Sequence, residues 1–447
     1  MLAMIASVTL VVIPLVAMQG TAGASTGGVT ITNYTDPTIS FPDDITAGPD
    51  GALWFTNFIG NSIGRITIDG TVASYTDPAI NRPVGITAGP DGALWFTSEL
   101  NNSIGRITTD GTITNYTDPT VSRPSGITAG PDGALWFTNL GTFSIAASIG
   151  RITTDGAMSN YTDRTINRPF GITTGPDGAL WFTNNGTSSI GESIGRITTS
   201  GAVTDYTDPT IRSPNGITAG PDGALWFANE GGGIGRITTS GAVTNHTGGV
   251  VDQAERITTG PDGALWFSNI DDPDSIGRIT TSGVVTDYTD PTIKSPNGIT
   301  AGPDGAVWFT NFRNGGTSSI GRITTPTPVV VPYGGAVTEG ASGTTSQLPI
   351  TVTLSHPSPQ TVTAQWNTVF IDGASNVQAT PGSDYAAASG TVTFAPGETA
   401  ETVPITVVNH DLGMPYKILI VSFHNATNAV MGGYFGLSFG FLENNTS

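Results

Sequence analysis

The stretch "GPDGALWFTN" at residues 48–57 returns in close variants six more times along the chain. Its tryptophan and the equivalent residues of the later copies are Trp54, Trp95, Trp136, Trp181, Trp226, Trp266 and Trp308. These tryptophans are separated by 41, 41, 45, 45, 40 and 42 residues. Such a period is typical of repeat architectures, so residues 29–325 are predicted to form one repeat domain.

One repeat unit contains four short strands. In the second copy, "GITAG", "ALWFT", "SIGRIT" and "TITNYT" are separated by turns whose Asp-Gly pairs suit hairpins. Four antiparallel strands in about 40 residues predict one propeller blade. The strand "ALWF" is apolar on both faces, as a strand between two neighbouring blades must be, so the tryptophans are predicted to be core residues.

The two ends of the repeat region predict how the ring closes. A fourth-strand motif, "YTDP" or a variant, occurs at Tyr34, Tyr75, Tyr116, Tyr161, Tyr206, His246 and Tyr288. The first copy precedes every "GPDG" string, and the seventh unit lacks a fourth strand. We therefore predict that "GVTITNYT" at residues 28–35 completes the last blade of a seven-bladed β-propeller with four strands in each blade.

The repeat stops after Thr325, and a second domain follows. Residues 326–335, "PTPVVVPYGG", are predicted to be an extended Pro-rich linker. Alternating runs such as "LPITVTL", "GTVTF" and "TVPITVV" then predict an antiparallel β-sandwich over residues 336–447. The predicted fold class is therefore all-β throughout.

The N-terminus predicts export. An apolar run of 17 residues is followed by the small residues Ala22, Gly23 and Ala24, which is typical of a signal peptide over residues 1–24. Because no Lys or Arg occurs before Arg65, a retained anchor and a buried strand remain as alternatives. No other stretch approaches the length of a membrane helix. The expected location is secreted or at the cell surface.

The charge balance limits the partners. The chain has 35 acidic and 16 basic residues, a net charge of -19, and this disfavours nucleic acids and anionic membranes as partners. The absence of cysteine excludes disulfides and thiol catalysis. We expect a monomer that binds a small molecule, a glycan or a surface protein.

One face of the propeller is predicted to bind ligand. The connections between second and third strands vary, from "NEGGGIGR" to "NLGTFSIAASIGR", whereas the turns on the opposite face hardly change. Two sets of candidate ligand-binding residues lie toward this top face. The first set stands at the variable position of "RPxGIT": Asp43, Val84, Ser125, Phe170, Asn215, Glu255 and Asn297. The second ends the "LWFTN" strand: Asn57, Ser98, Asn139, Asn184, Asn229, Asn269 and Asn311. The asparagines either cap backbone groups or touch the ligand.

Two further rings of residues repeat with the blades. They are the aspartates of "PDG", Asp50, Asp91, Asp132, Asp177, Asp222, Asp262 and Asp304, and the arginines of "IGR", Arg65, Arg106, Arg151, Arg196, Arg236, Arg278 and Arg322. A carboxylate ring and an anion funnel are one interpretation. The other interpretation is that the aspartates stabilise the turns and the arginines form a repeated structural pairing. We favour it because both residues recur in every blade together with the strands that form the fold.

The repeat resembles that of the virginiamycin B lyase family of seven-bladed propellers over residues 29–325. The resemblance implies a magnesium-assisted β-elimination that opens a cyclic depsipeptide, with histidines at the variable position of "RPxGIT" and glutamates in "LWFTE". None of the fourteen positions here is His or Glu except Glu255, which stands in a histidine position. We therefore predict a non-catalytic relative that acts as a ligand-binding or cell-envelope interaction module.

The alternative is a lyase of that type acting on a cyclic depsipeptide or polysaccharide. Glu255 and Glu230 would then form its acid/base pair. Asp271, Asp272, Asp274 and Glu192 give a weak indication of a divalent cation on the same face. A structural role in surface adhesion, with the sandwich as spacer, is a third interpretation.

The second domain resembles a Calx-beta domain in "TEG", "GSDY" and "SGTVTFAPGET". The resemblance implies a calcium site at one end of the sandwich, with Glu339, Asp384 and Asp411 as ligands and Asp372 as a further candidate. The family's late acidic run is replaced here by "LGMPYKIL", which lacks carboxylates. His356, His410 and His424 show no spacing typical of metal ligands.

Overall fold

The structure is a computed structural model in which nearly all of the chain after residue 28 can be described. The described residues are 29–142, 144–186, 191–231, 233–247, 251, 253–270, 273–314, 317–358, 360–370, 378–410, 415–432 and 436–444. All regular elements in these ranges are β-strands, and none of them contains a helix suited to crossing a membrane. The predicted signal peptide lies outside the described residues.

Six blades each contain four consecutive antiparallel strands, and the first strand of each lies next to the first strands of both neighbours around the central channel. Blade 1 comprises β2 (Pro42–Ala47), β3 (Leu53–Asn57), β4 (Ser62–Ile66) and β5 (Val72–Thr76). Blade 2 comprises β6 (Pro83–Ala88), β7 (Leu94–Ser98), β8 (Ser103–Ile107) and β9 (Ile113–Thr117). Blade 3 comprises β10 (Pro124–Ala129), β11 (Leu135–Asn139), β12 (Ser148–Ile152) and β13 (Met158–Tyr161).

The next three blades repeat this order. Blade 4 comprises β14 (Pro169–Thr174), β15 (Leu180–Asn184), β16 (Ser193–Ile197) and β17 (Val203–Tyr206). Blade 5 comprises β18 (Pro214–Ala219), β19 (Leu225–Asn229), β20 (Gly233–Ile237) and β21 (Val243–His246). Blade 6 comprises β22 (Ala254–Thr259), β23 (Leu265–Asn269), β24 (Ser275–Ile279) and β25 (Val285–Thr289).

The seventh blade combines the two ends of the propeller. It contains β26 (Pro296–Ala301), β27 (Ala306–Asn314), β28 (Thr317–Thr324) and, as its outer strand, β1 (Ile31–Tyr34). Ile31 pairs with Ile323, and Tyr34 with Ile320. The predicted closure is confirmed, and it leaves no unpaired edge on this blade's third strand.

Each blade is built around its tryptophan, and all seven are fully buried as predicted. In blade 1 the Trp54 indole donates to Asp50 at 3.0 Å, Arg65 donates to the other Asp50 oxygen at 2.7 Å, and Tyr75 stacks on Trp54 at 5.4 Å. The same aspartate and arginine pair in every blade. The two repeated rings are therefore structural partners of one another.

The C-terminal domain is a sandwich of two sheets. One has the order β34-β31-β29-β36, with β34 (Ala400–Val408), β31 (Thr345–Leu354), β29 (Val329–Pro332) and β36 (Val430–Met431). The other has the order β30-β37-β35-β32-β33, with β30 (Gly335–Thr338), β37 (Leu437–Glu443), β35 (Tyr416–Thr427), β32 (Val362–Val369) and β33 (Ser389–Phe394). Val330 pairs with Leu354, so part of the predicted linker is a strand of the sandwich; its valines favour pairing over an extended connection.

Candidate functional site

The candidate site is the mouth of the central channel, where the first strand of every blade carries a β-bulge. In blade 2, Pro83 pairs with Ser98 and Ile86 with Phe96, so two residues, Val84 and Gly85, stand in the irregular step. The same shift occurs in all seven blades. Bulges re-aim side chains, and here they place the variable residue of "RPxGIT" at the same level in each blade.

The second bulge position distinguishes two blades from the rest. In five blades it is glycine, and a methyl group on Gly85 would lie 2.5 Å from the carbonyl oxygen of Ser125. Blade 1 carries Asp44 there and blade 6 carries Arg256. Asp44 and Arg256 are thus the two charged side chains at this bulge position, where the other five blades have no side chain.

Predicted site residues pair across two seams between blades. Asn297 of blade 7 donates a side-chain hydrogen bond to Asp43 of blade 1. Asn215 of blade 5 donates in the same way to Glu255 of blade 6. Both carboxyl groups are thus held by the amide of a neighbouring blade, which fixes their position at the channel mouth.

Arg256 contacts a residue two blades away. Its guanidinium carbon lies 4.7 Å from the ring centroid of Phe170 in blade 4. The buried Arg256 Nε, Asn215 Oδ1 and Ser125 Oγ have no hydrogen-bond partner among the described residues. A buried polar group left in this state costs about 1–3 kcal/mol, so a hydrogen-bond partner for any of these three atoms would be stabilising. Arg256 was missed from the sequence, although its signal was present: "ERIT" replaces the usual glycine.

The acidic residues of the channel resist ionisation. Burial raises the pKa of Asp43 to about 7; Arg256 opposes this shift, and Asp44 and Glu255 add to it. Burial likewise raises the pKa of Asp44 and of Glu255. The channel mouth therefore holds one carboxyl group, that of Asp43, that can exchange a proton near neutral pH.

Family comparison identifies the propeller. The Virginiamycin B lyase family matches the chain over residues 20–193, 122–247 and 187–331. The chain belongs to the virginiamycin B lyase family. The family match ends before most of the sandwich, and the Calx-beta resemblance of that domain has no support from these comparisons. The search of curated proteins returned no match.

Solved structures of this lyase family are similar to the propeller. A catalytically inactive virginiamycin B lyase from Staphylococcus aureus, solved with quinupristin, is 37% identical, with 66% of this chain and 99% of that chain covered and a TM-score of 0.59. A streptogramin B lyase structure is 34% identical, with 67% and 99% covered and a TM-score of 0.59. The extracellular domain of a hybrid two-component system from B. thetaiotaomicron, at 12% identity, covers 93% of this chain and 57% of its own with a TM-score of 0.54, which shows a shared fold alone.

The second set of candidate residues is buried in this member of the virginiamycin B lyase family. Asn57 is fully buried; its Oδ1 accepts from Ser40 N at 2.9 Å, and its Nδ2 donates to Thr38 O at 3.1 Å and Ser62 Oγ at 3.0 Å. The equivalent residues are equally buried, and each accepts a bond from backbone of the preceding loop. They cap backbone groups, which is the first of the two predicted roles.

The predicted Glu230–Glu255 pair is not in contact. Glu230 is exposed in a groove that Glu192, Asp208 and Arg212 also line, whereas Glu255 bonds to Asn215 in the channel. The Glu230 charge adds to the rise of the Glu255 pKa that burial causes. The two carboxylates therefore interact electrostatically but do not form one site.

The propeller residues that the structure describes do not fit the magnesium ion that the family resemblance implies. Asp43 and Glu255 each accept an amide hydrogen bond and share the channel with the Arg256 cation. Glu192 accepts from Ser213 and Asp274 from Ser295 N, while Asp271 and Asp272 lie outside the described residues. Across the described part of the chain, no three His, Asp or Glu side chains form a group that could hold a metal.

One predicted calcium ligand of the sandwich, Asp384, is paired with a lysine. Asp384 is fully buried, and Lys417 Nζ lies 3.0 and 2.9 Å from its two oxygens. His410 Nε2 lies 2.7 Å from Oδ1, and Thr380 N donates to Oδ2 at 2.7 Å. Burial alone would raise the pKa of Asp384, but the bonds from Lys417, Thr380 and His410 outweigh it and hold the pKa below its ordinary value.

Both oxygens of Asp384 are thus occupied, and the predicted ligands that the structure describes, Asp384 and Glu339, do not fit calcium. Glu339 Oε2 accepts from His410 N at 2.9 Å, so Glu339 joins the same cluster through the histidine. The other two predicted ligands, Asp411 and Asp372, lie outside the described residues. The Lys417 ammonium supplies the positive charge that a bound cation would bring.

Proposed function

We propose that this protein is a binding member of the virginiamycin B lyase family, in which the channel mouth holds a ligand without opening it. The observation that carries the proposal is the set of three buried, unpartnered polar atoms on Arg256, Asn215 and Ser125. None of these positions holds a histidine, and the two carboxyl groups among them, Asp43 and Glu255, are each bonded to the amide of a neighbouring blade.

The free atoms define the ligand chemistry. Arg256 Nε can only donate, Asn215 Oδ1 can only accept, and Ser125 Oγ can do both. A ligand that carries both acceptors and donors, such as a peptide amide or a group of hydroxyls, matches them. The acidic side chains Asp43, Asp44 and Glu255 disfavour a polyanion, although Arg256 offsets part of their charge.

The same proposal places the protein outside the cytoplasm. The apolar run of 17 residues and the small residues at 22–24 support a cleaved signal peptide over residues 1–24, with the mature chain secreted or held at the cell surface. A small molecule, a glycan or a surface protein is the proposed partner of a monomer. Intact-mass analysis of the secreted protein tests this, since it should begin at residue 25.

Calorimetric titration with quinupristin tests the binding site, because a related lyase was solved with that compound. The wild type should bind, and mass spectrometry should recover the compound unopened. Arg256→Ala should weaken binding at least tenfold, since charged hydrogen bonds contribute about 1.5–3 kcal/mol. Arg164→Ala is the matched control: it removes the same charge from an exposed loop and should bind like wild type.

Equal affinity of wild type and Arg256→Ala would overturn the proposed site. So would the absence of any heat with the wild type when a thermal-shift titration also shows no stabilisation. Recovery of ring-opened quinupristin would replace the proposal by the second candidate below.

The second candidate is the lyase reaction itself, and the raised pKa of Asp43 favours it. In a β-elimination a base removes the α-proton, the C–O bond breaks and the leaving oxygen takes a proton. A carboxyl group with a pKa of about 7 can accept or release a proton at neutral pH. Turnover that is lost in both Asp43→Asn and Glu255→Gln would support this reading, whereas an intact compound after prolonged incubation would exclude it for this substrate.

A further inference from the structure

The outer face of the five-stranded sheet of the sandwich carries exposed aromatic residues. On β37, Phe439 and Phe441 are 45% and 41% exposed, and on the adjacent β35, Tyr416 is 46% exposed. The residues that alternate with them on β37, Gly440 and Leu442, are buried in the sandwich. Large aromatic side chains grouped on a surface mark an interaction site more often than chance exposure.

Strand register joins these side chains into one patch. Phe439 pairs with Ile420 and Phe441 with Ile418, and both isoleucines are half-buried on the same face. The rings of Tyr416 and Phe441 lie 6.1 Å apart at 62°. Alternate residues of one strand are about 7 Å apart, so Phe439 extends the row beyond Phe441. We call Tyr416, Ile418, Ile420, Phe439 and Phe441 the aromatic patch.

Beside the aromatic patch the same face is polar but uncharged. The adjacent strand β32 directs Gln365 and Asn367 to this side, and they pair with Thr391 and Ser389 of β33. His424 Nε2 lies 3.1 Å from Asn367 Oδ1. Among the described strand residues that point outward here, Glu443 is the one carboxylate, and it pairs with Tyr416 at the end of β37; none is a lysine or arginine.

This composition indicates the class of partner. A nucleic acid or acidic protein needs cations, and a basic protein needs several carboxylates. The described part of this face supplies no lysine or arginine and one carboxylate, Glu443. A second copy would bring together two chains that each carry a net charge of -19. A neutral polysaccharide matches both halves of the face: the C–H side of a sugar ring packs on aromatic rings, and its hydroxyls bond amides and threonines.

We propose that the outer face of the sandwich binds a neutral polysaccharide through the aromatic patch. This site is separate from the channel mouth and belongs to the other domain. The sandwich would then anchor the protein to a glycan surface while the propeller remains free to bind its own ligand. The proposal thus holds or fails independently of the proposed function.

The test is sedimentation of the purified protein with microcrystalline cellulose and with chitin, together with electrophoresis through gels containing hydroxyethylcellulose or xylan. Wild type should bind at least one of these four glycans. Phe439→Ala/Phe441→Ala should lose binding at least tenfold, because two stacking contacts are removed. Val284→Ala removes an apolar side chain that is 61% exposed on the propeller and should bind like wild type.

Two controls make the result decisive. Thermal unfolding should be nearly unchanged in the double variant, since both side chains are exposed, and its quinupristin titration should equal that of wild type. Failure of the wild type to bind any of the four glycans would overturn the proposal. Concentration-dependent dimerisation that the double variant abolishes would overturn it in favour of a second copy.

Discussion

Asn297 of the seventh blade donates a hydrogen bond to Asp43 of the first, so the seam where the ring closes also holds an acid of the channel mouth. The bond joins residues that are 254 positions apart in the chain. Closure of the propeller and the protonation state of its channel are therefore linked, because the carboxyl group is buried at the seam.

Replacement of Asp43 by asparagine should change how stability depends on pH. The folded pKa of about 7 lies above the ordinary value of 3.8, so the contribution of Asp43 to stability is fully present near pH 4 and falls as pH rises toward 7. The free energy of unfolding of Asp43→Asn, relative to that of wild type, should therefore rise by up to about 1.4 kcal/mol per pH unit across this range. Urea unfolding at pH 5 and 7.5 measures the difference.

Asp69→Asn is the control for that experiment. Asp69 is exposed, and its hydrogen bond from Thr67 holds the pKa of the carboxyl below 3.8. The difference in the free energy of unfolding between Asp69→Asn and wild type should stay constant between pH 5 and 7.5. A constant difference for Asp43→Asn as well would show that Asp43 is ionised throughout this range in the folded protein.

The Asp132 carboxylate should be required for the stability of its blade. It accepts from the buried Trp136 indole at 3.0 Å and from Arg151 at 2.7 Å. Asp132→Ala leaves the indole N–H unpaired and should lower the free energy of unfolding by about 2–3 kcal/mol. Asp132→Asn retains an acceptor and should cost about half as much. An equal decrease in the free energy of unfolding of the two variants would show that the charge of Asp132, and not its hydrogen bond from the indole, stabilises the blade.

His246→Tyr should stabilise blade 5. His246 stacks on Trp226 at 5.3 Å, where six blades use tyrosine, and its Nε2 is buried without a described partner. Burial, aided by the Arg236 charge, lowers the pKa of His246 below 6.5, so the protein loses stability as pH falls below that value. His246→Tyr should raise the free energy of unfolding by about 1 kcal/mol, and this increase should be larger at pH 5 than at pH 8.

The reverse change in the preceding blade provides the matched control. Tyr206 stacks on Trp181 at 5.4 Å with the same geometry. Tyr206→His should lose stability, and the loss should grow on acidification. If His246→Tyr gives the same gain at both pH values, titration of the imidazole does not contribute.

Lys417→Ala should destabilise the sandwich by about 3–5 kcal/mol, because it leaves the buried Asp384 carboxylate without its cation. Thermal unfolding of this variant and of wild type, with and without millimolar calcium, measures the effect. Calcium should not raise the unfolding temperature of wild type, since Lys417 already occupies both carboxylate oxygens. A calcium-dependent rise in wild type would show that the ion displaces the ammonium.

Much of the fold could be predicted from local pattern. The recurrence of Trp54 and its equivalents predicts the seven blades, and the position of Tyr34 before the first unit predicts the exchanged strand. Both predictions are confirmed because every blade buries the same apolar residues between its two neighbours. The candidate site was predicted less well: the positions of Asp43, Asn215 and Glu255 were recognised, but their pairing with neighbours was not, since it depends on which blades become adjacent.

The sequence by itself determined the repeat, its closure and the absence of histidine from the family positions, because these follow from residue identity and spacing along one chain. Only the tertiary structure decided that Asn57 is buried beneath a loop, that Arg256 reaches Phe170 across two blades, and that Lys417 neutralises Asp384. Each of these is a contact between residues distant in sequence. Their energies depend on burial and on distances of a few ångströms, which spacing along the chain does not specify.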